Sequence, residues 1–297
     1  MRVLITGGAG FFGGWIGRLL LEEGFDIRIF DASGDRTRLR QIVGAKADKL
    51  DWQVGDIGNP ADVDRAFDSC GAVIHLAAVL TPVCKADPVK AARINVIGTL
   101  NVFLAARKHG IDNVIYTSSG GIFAAGKRAL EPSSHYGAFK LANEGNARSF
   151  FADDGLSSTG FRPFVVYGLG RESGLSADPT LACRAAARRE NYEMKFSGAV
   201  GMVYAGDAAL AYAAALKQKV KGARVFDMPG ELTTMDAVAK TIEKLAPGVR
   251  ITVSGPPLPS AALEDQSGML NALKLPAPTP MEEGLRKTIE AYAKLRA

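Results

Sequence analysis

The stretch LITGGAGFFGGWIG, residues 4–17, decides the fold. An apolar run ends at Thr6, glycines follow, and apolar residues resume at Phe11, Phe12, Trp15 and Ile16, so a short buried strand turns directly into a helix. Thr6, Gly7, Gly10 and Gly13 match TGxxGxxG. In that setting Gly7 permits a tight turn, Gly10 lets the backbone approach a pyrophosphate, and Gly13 allows close packing of the helix. Amide groups at the helix start then face the phosphate charge.

Asp31 ends the next apolar run, DIRIFD (26–31), where a carboxylate accepts hydrogen bonds from adenosine ribose hydroxyls and repels a 2′-phosphate. That favours NAD over NADP, with Arg36 and Arg38 the residues that would admit NADP. Asp56, in GDIG, lies just past the third strand. It suits either an adenine amino group or a turn cap.

Working outward, strand-like runs at 3–6, 26–31, 51–56, 72–78 and 113–119 alternate with helical patterns at 12–23, 60–69, 88–109 and 134–154. A further strand is expected over 159–168. Such alternation, with runs that are apolar without strict period two, specifies a parallel sheet covered on both faces. After residue 168 the order changes. Helices are expected at 178–190, 207–217, 234–246 and 281–296, with strands at 222–228 and 250–254. The fold class is therefore α/β, a Rossmann-like doubly wound parallel sheet with a smaller C-terminal α/β substrate lobe. Residues 1–168 form the cofactor domain including the Tyr/Lys helix, and 169–297 mainly the lobe, with some elements returning to the sheet.

The 297 residues are 47% hydrophobic and 23% charged, an ordinary globular composition, and no apolar run reaches the roughly 18 residues of a membrane span. The net charge of +5 is scattered, densest in RTRLR (36–40) and CRAAARRE (183–190), without interleaved aromatics. No nucleic-acid or membrane partner is expected. Cys70, Cys84 and Cys183 form no CxxC, so neither a zinc site nor a disulfide framework is indicated. The start MRVLITGG enters a strand at once, unlike a secretory leader, and a cytoplasmic protein is expected.

The segment SSHYGAFKLANEG (133–145) sets Tyr136 and Lys140 one helical turn apart after a serine start signal. Both groups ordinarily titrate near ~10. A cation beside the phenol favours the phenolate, and such a tyrosine serves as a general base for a substrate hydroxyl.

Together TGGAGFFG (6–13), DI (56–57), HLAA (75–78), NVIGT (95–99), TSS (117–119), YGAFK (136–140) and RPFVVYG (162–168), with a closing helix in MEEGLRKTIEAY (281–292), resemble the extended short-chain dehydrogenase/reductase superfamily, in its NAD-dependent epimerase/dehydratase branch. The resemblance implies an enzyme that binds NAD through Gly7, Gly10, Phe11, Phe12, Gly13, Asp31, Asp56, Ile57, Leu76, Ala77, Ala78, Tyr136 and Lys140. It implies catalysis by Ser119, Tyr136 and Lys140, with Lys140 also on the nicotinamide ribose and both Lys140 and oxidised nicotinamide lowering the Tyr136 pKa. Ser118 and Arg171 are candidates for the substrate. Asn95 and His75 read as structural, and Asp207 as a helix N-cap.

Two departures bear on the substrate. Only 16 residues separate Ser119 from Tyr136, and AVGMVYAGD (199–207) lacks the Arg-Asp pair common in nucleotide-sugar enzymes of the branch. The expected activity is NAD-dependent hydride transfer from a secondary alcohol carbon of a small polar substrate: a polyol, sugar or sugar acid. The alternatives are a sugar or nucleotide-sugar epimerase/dehydratase using the same residues and a non-catalytic NAD-sensing regulator. A homodimer through helices 88–109 and 134–154 is expected.

Overall fold

The computed structural model describes residues 1–124, 129–258 and 265–295. In chain order its first half is β1 (Arg2–Thr6), α1 (Phe11–Glu22), β2 (Asp26–Asp31), α2 (Thr37–Val43), β3 (Asp51–Val54), α3 (Pro60–Phe67), β4 (Ala72–His75), α4 (Thr81–Ala86), α5 (Pro88–Ala92), α6 (Gly98–Lys108), β5 (Asn113–Thr117) and α7 (His135–Asp154). Then follow β6 (Ser157–Pro163), β7 (Val165–Tyr167), α8 (Asp178–Ala187), β8 (Tyr192–Met194), β9 (Ala199–Tyr204), α9 (Ala205–Gln218), β10 (Ala223–Met228), β11 (Glu231–Thr234), α10 (Met235–Leu245), β12 (Ile251–Val253), α11 (Ser267–Ala272) and α12 (Met281–Lys294).

Seven strands form one parallel sheet in the order β10-β6-β5-β4-β1-β2-β3. The winding reverses between β1 and β4, and a crevice opens there beyond the carboxyl ends of the strands. One face packs Val3, Ile5 and Ile29 against Ile16, Leu20 and Tyr212. The other packs Leu4, Phe30 and Val73 against Val63, Phe67 and Phe103. With both faces covered, the strands need apolar residues at every position.

A smaller sheet, β11-β9-β7, and the pair β12-β8 enclose a second core around Val165, Met194, Met202, Met235, Ile242 and Leu285. The chain enters it at 159–168, which is two strands and not the single one expected. β6 pairs with β10 up to Pro163 opposite Met228, and β7 then pairs with β9. Pro163 has no N–H with which to extend the ladder, and the break falls directly after it. Asp207 is not an N-cap: it lies inside the first turn of α9, after Tyr204, and accepts from the Thr279 amide and hydroxyl at 2.8 Å each.

Helix 88–109 is continuous but carries a π turn at Arg93–Ile97. By length and composition the stretch Pro88–Lys108 is apolar enough to cross a membrane, and 44% of its most apolar window is buried within the protein. Ser134 caps α7 by accepting from the Gly137 amide, and Gly155 ends the helix with a left-handed φ of 70°.

Candidate active site

A cleft of about 940 Å³ lies over the crevice. Its walls include Gly7, Gly10, Phe11, Phe12, Asp31, Asp56, Ile57, Leu76, Ala77, Ala78, Ser118, Ser119, Tyr136, Lys140 and Arg171. Of the residues assigned from the sequence to cofactor, catalysis or substrate, Gly13 alone is not on a wall. It lies one layer below: a Cβ there would stand 2.3 Å from the Gly8 carbonyl oxygen, so α1 packs on its own loop at a distance only glycine allows. Gly7 has φ +68°, and a Cβ there would stand 2.6 Å from the Ala77 amide. The same two features bring the first amides of α1, which have no carbonyl ahead of them, to the floor of the cleft.

The Asp31 carboxylate closes the loop from the far side, accepting from Ala9 N at 3.0 Å and Ser33 N at 3.1 Å. Two backbone bonds leave the carboxylate with lone pairs to spare for the cleft that it lines. Arg36 points away, its guanidinium 5.0 Å from the Trp52 ring centre and bonded to the Asp48 carbonyl. Arg38 lines the cleft, a residue the sequence marks only as a possible phosphate ligand. Asp56 accepts from Gly58 N at 2.8 Å and pairs with Arg93 at 3.2 Å, so it serves as a turn aspartate on the cleft rim.

His75 sits beneath Leu76–Ala78, buried between Thr6 and Thr99. Thr99 gives its hydroxyl proton to the Asn95 carbonyl, so His75 Nε2 donates to Thr99 and Nδ1 accepts from Thr6. Burial pushes its pKa down to about 3, and it is neutral. Asn95 spans the gap to the cleft wall, accepting from Val79 N at 2.8 Å and donating to Val79 O at 2.9 Å. The π turn frees its own carbonyl for Asn143 Nδ2 at 2.8 Å, tying the 88–108 helix to α7.

On α7, Lys140 is 4% exposed, donates to the Thr117 carbonyl at 2.7 Å, and lies 5.6 Å from the centre of the Tyr136 ring. Ser119 accepts from Gly121 N at 3.0 Å and shares the cleft with Tyr136. The expected lowering of the phenol is not found in the protein alone. Burial pushes Tyr136 up to about 12, with the Arg171 charge and the Ser119 hydroxyl pulling the other way. Burial also pushes Lys140 down to about 8. Desolvation penalises the charged form of each group, and here it outweighs their neighbours.

Ser118 differs from its expected place on the substrate. Its side chain is fully buried and donates to Glu144 Oε1 at 2.5 Å. Glu144, with no exposed surface, is gripped by Arg162 Nε at 2.8 Å and Nη2 at 2.6 Å, and Arg162 Nη1 reaches Asp227 at 3.0 Å. Nothing in the sequence signals this network, because its members lie on four separate elements and no spacing links them. All three cysteines are free and buried, with Cys84 against Asn95 just behind the cleft.

A family model described as the NAD dependent epimerase/dehydratase family matches residues 3–228. A UDP-glucose 4-epimerase of Corynebacterium glutamicum is 30% identical over 176 residues, 57% of this chain and 52% of the epimerase, so the match spans about half the length of that relative. A 2-alkyl-3-oxoalkanoate reductase of Stenotrophomonas maltophilia is 30% identical over 237 residues, 75% of this chain and 67% of the reductase. Among solved structures, the UDP-glucose 4-epimerase of Thermus thermophilus in complex with NAD superposes with a TM-score of 0.84 at 27% identity, covering 98% of this chain and 99% of that one. With the glycine loop, the acid after β2 and the Tyr/Lys turn gathered on one cleft, the chain belongs to the NAD-dependent epimerase/dehydratase family.

Proposed function

We propose that the protein is an NAD-dependent oxidoreductase that interconverts a secondary alcohol and a ketone on a small polar substrate. The observation that carries this reading is the convergence of Tyr136, Ser119 and Lys140 on one wall of the cleft whose floor is the start of α1. The cleft suits the dinucleotide: Gly7 and Gly10 leave the floor free of side chains, helix amides meet the pyrophosphate, and Asp31 meets the ribose. When bound, NAD supplies the hydride acceptor and a positive ring that adds to the charge of Lys140.

Tyr136 takes the hydroxyl proton as the substrate carbon gives up its hydride, and returns it in the reverse direction. Ser119 bonds the same oxygen and fixes the carbon's approach. Lys140, held by the Thr117 carbonyl, contributes positive charge and reaches the nicotinamide ribose. The same residues serve the second reading, a sugar epimerase, which the similarity to UDP-glucose 4-epimerases favours. A second copy of the chain docks on the 88–108 helix, where Ile97 and Leu104, one heptad apart, are 46% and 44% exposed. Light scattering at micromolar concentration giving a monomer would reject that pairing.

The deciding experiment pairs calorimetric titration with NAD against a substrate panel. NADH formation with polyols, sugars and sugar acids is expected. Turnover of UDP-glucose to its epimer with no net NADH, and no response to any small hydroxy compound, would establish the second reading instead.

A further inference from the structure

We propose that the substrate is a small hydroxy acid whose carboxylate is gripped by Arg171, a residue aimed into the cleft by a loop that α12 and Trp15 hold in place; this rests on the reading above that Tyr136 handles the substrate hydroxyl. The first observation is a cation without an anion. Arg171 lines the cleft with its guanidinium 5.9 Å from the Phe11 ring centre, and among the described residues its one side-chain bond is a long one, Nη2 to Ser176 Oγ at 3.4 Å. Its Nε is buried with no partner. Among the described residues no carboxylate pairs with it. The adjacent carboxylate, Glu172, is taken by Arg184 at 2.9 Å and by the Tyr292 hydroxyl at 3.0 Å. A half-buried charge left without an anion is unfavourable, and an anion entering the cleft relieves it.

The second observation is that the loop is built. Trp15 Nε1 donates to Leu169 O at 2.9 Å, Gly170 N donates to the Tyr292 hydroxyl at 3.1 Å, and Gly168 N donates to Thr180 at 3.1 Å. Gly168, Gly170 and Gly174 have φ of 146°, 91° and 98°, backbone that side chains would forbid. Helices α1, α8 and α12 thus fix the loop from three directions, and the guanidinium is oriented before any ligand arrives.

The third is its position relative to the chemistry. Arg171 and Tyr136 share the cleft and influence each other's ionisation, Arg171 being the charge that most favours the phenolate. A molecule with its hydroxyl at Tyr136 and its anionic end at Arg171 lies within this one cleft. Beyond residue 176, among the described residues, the lobe contributes only Leu258 to the walls, and the same 940 Å³ must also admit the dinucleotide. One guanidinium offers a planar fork that matches one carboxylate, whereas a phosphate monoester brings close to twice the charge. In the reaction the hydroxy acid loses a hydride to the nicotinamide and its hydroxyl proton to Tyr136, leaving a keto acid, NADH and a proton.

The test uses the NAD-saturated protein, titrated with aldonates from glycerate to gluconate, the alditols of the same lengths, glycerol 3-phosphate and UDP-glucose, reading binding by calorimetry and turnover by NADH absorbance. An aldonate should bind at least tenfold more tightly than its alditol. Arg171→Met should weaken that aldonate on the order of 100-fold and leave NAD affinity unchanged, with Arg171→Lys in between. Because the removed charge is half-buried and has no anionic partner among the described residues, Arg171→Met should melt no lower than wild type without ligands; if it does melt lower, Arg171→Lys carries the comparison. Tyr292→Phe, acting through Gly170, should raise KM for the aldonate while leaving kcat unchanged. Equal binding of aldonate and alditol overturns the proposal, as does tighter binding of glycerol 3-phosphate or UDP-glucose than of every aldonate. So does an Arg171→Met loss that falls on NAD itself, or a protein that binds NAD and no aldonate. Failure of wild type to bind NAD removes the functional reading instead, which separates the two.

Discussion

Lys140 gives its proton to the Thr117 carbonyl at 2.7 Å and lies over the Tyr136 ring, not at its hydroxyl. The lysine is therefore anchored to β5 beside the ring and makes no hydrogen bond to the phenol. With Tyr136 at about 12 and Lys140 at about 8, the pair at neutral pH is a phenol beside an ammonium. On the proposed reading, the positive ring of the cofactor is what favours the phenolate, so ionisation of Tyr136 should respond to NAD binding.

Tyr136→Phe should lower turnover by about 10²–10⁴-fold or more, since it removes the proton acceptor and leaves the ring in place. NAD affinity by calorimetry should change less than twofold. A Phe variant keeping a tenth of wild-type turnover would exclude Tyr136 as the base.

Lys140 also sets a pH dependence of stability. Its folded pKa, about 8, lies below its ordinary 10.5, so above pH 8 the unfolded chain holds a proton that the folded chain has released. Stability then rises with pH in that window. Between pH 8 and 9 the Lys140 contribution is a gain of about 1 kcal/mol, and the buried cysteines, all shifted upward, oppose it over the same interval because unfolded thiols ionise there. The readout is therefore the difference between proteins: on going from pH 8 to pH 9 the urea midpoint of wild type should rise relative to that of Lys140→Met.

The sheet and the glycine loop were legible because local rules specify them: apolar runs, a turn that only glycine allows, and an acid at a strand end. Tyr136 and Lys140 were legible for the same reason, being one helical turn apart. The break at Pro163–Phe164 was not: Pro163 marks where a ladder can stop, but nothing local says that the apolar residues after it join a different sheet. Ser118 was misplaced because its partner Glu144 is 26 residues away on α7, and only packing reveals which of two adjacent serines faces inward. The depressed phenol was expected from charge alone, whereas burial, a tertiary property, has the opposite sign and is larger.

The Ser118–Glu144–Arg162–Asp227 network joins β5, α7, β6 and β10 directly behind the cleft. Glu144→Gln keeps the shape and removes the charge, leaving Arg162 without its bidentate partner. The expected loss is about 3–5 kcal/mol in chemical denaturation, the range for breaking one side of a buried pair. A loss below about 1 kcal/mol would mean that Asp227 alone satisfies Arg162.

Asp31 lines the cleft beside the glycine loop while Arg36 is turned onto Trp52, so on the proposed reading the carboxylate is the group that meets the ribose. NAD should bind more tightly than NADP, and Asp31→Ala should narrow the ratio by about 10-fold or more, chiefly by relieving repulsion of the 2′-phosphate. Titration of both cofactors into both proteins gives the ratio directly. If wild type prefers NADP, Arg38, which lines the cleft, has outweighed the carboxylate.

Two glycines of α1, one turn apart, should respond to alanine with opposite signs. At Gly17 a Cβ would meet only Ile5 Cδ1, at 3.9 Å, an ordinary contact. Alanine is the better helix former by about 1 kcal/mol, so Gly17→Ala should stabilise by roughly 0.5–1 kcal/mol. At Gly13 the same propensity gain is opposed by a Cβ 2.3 Å from the Gly8 carbonyl oxygen and 2.5 Å from its Cα, backbone that cannot rotate away. Gly13→Ala must push α1 off its loop, lowering the melting temperature and weakening NAD, although residue 13 itself lines no wall of the cleft. Parallel melting curves and NAD titrations of the two variants decide it. Equal behaviour of the pair would mean that the loop yields at Gly8 and that close packing of α1 is not what shapes the cofactor floor.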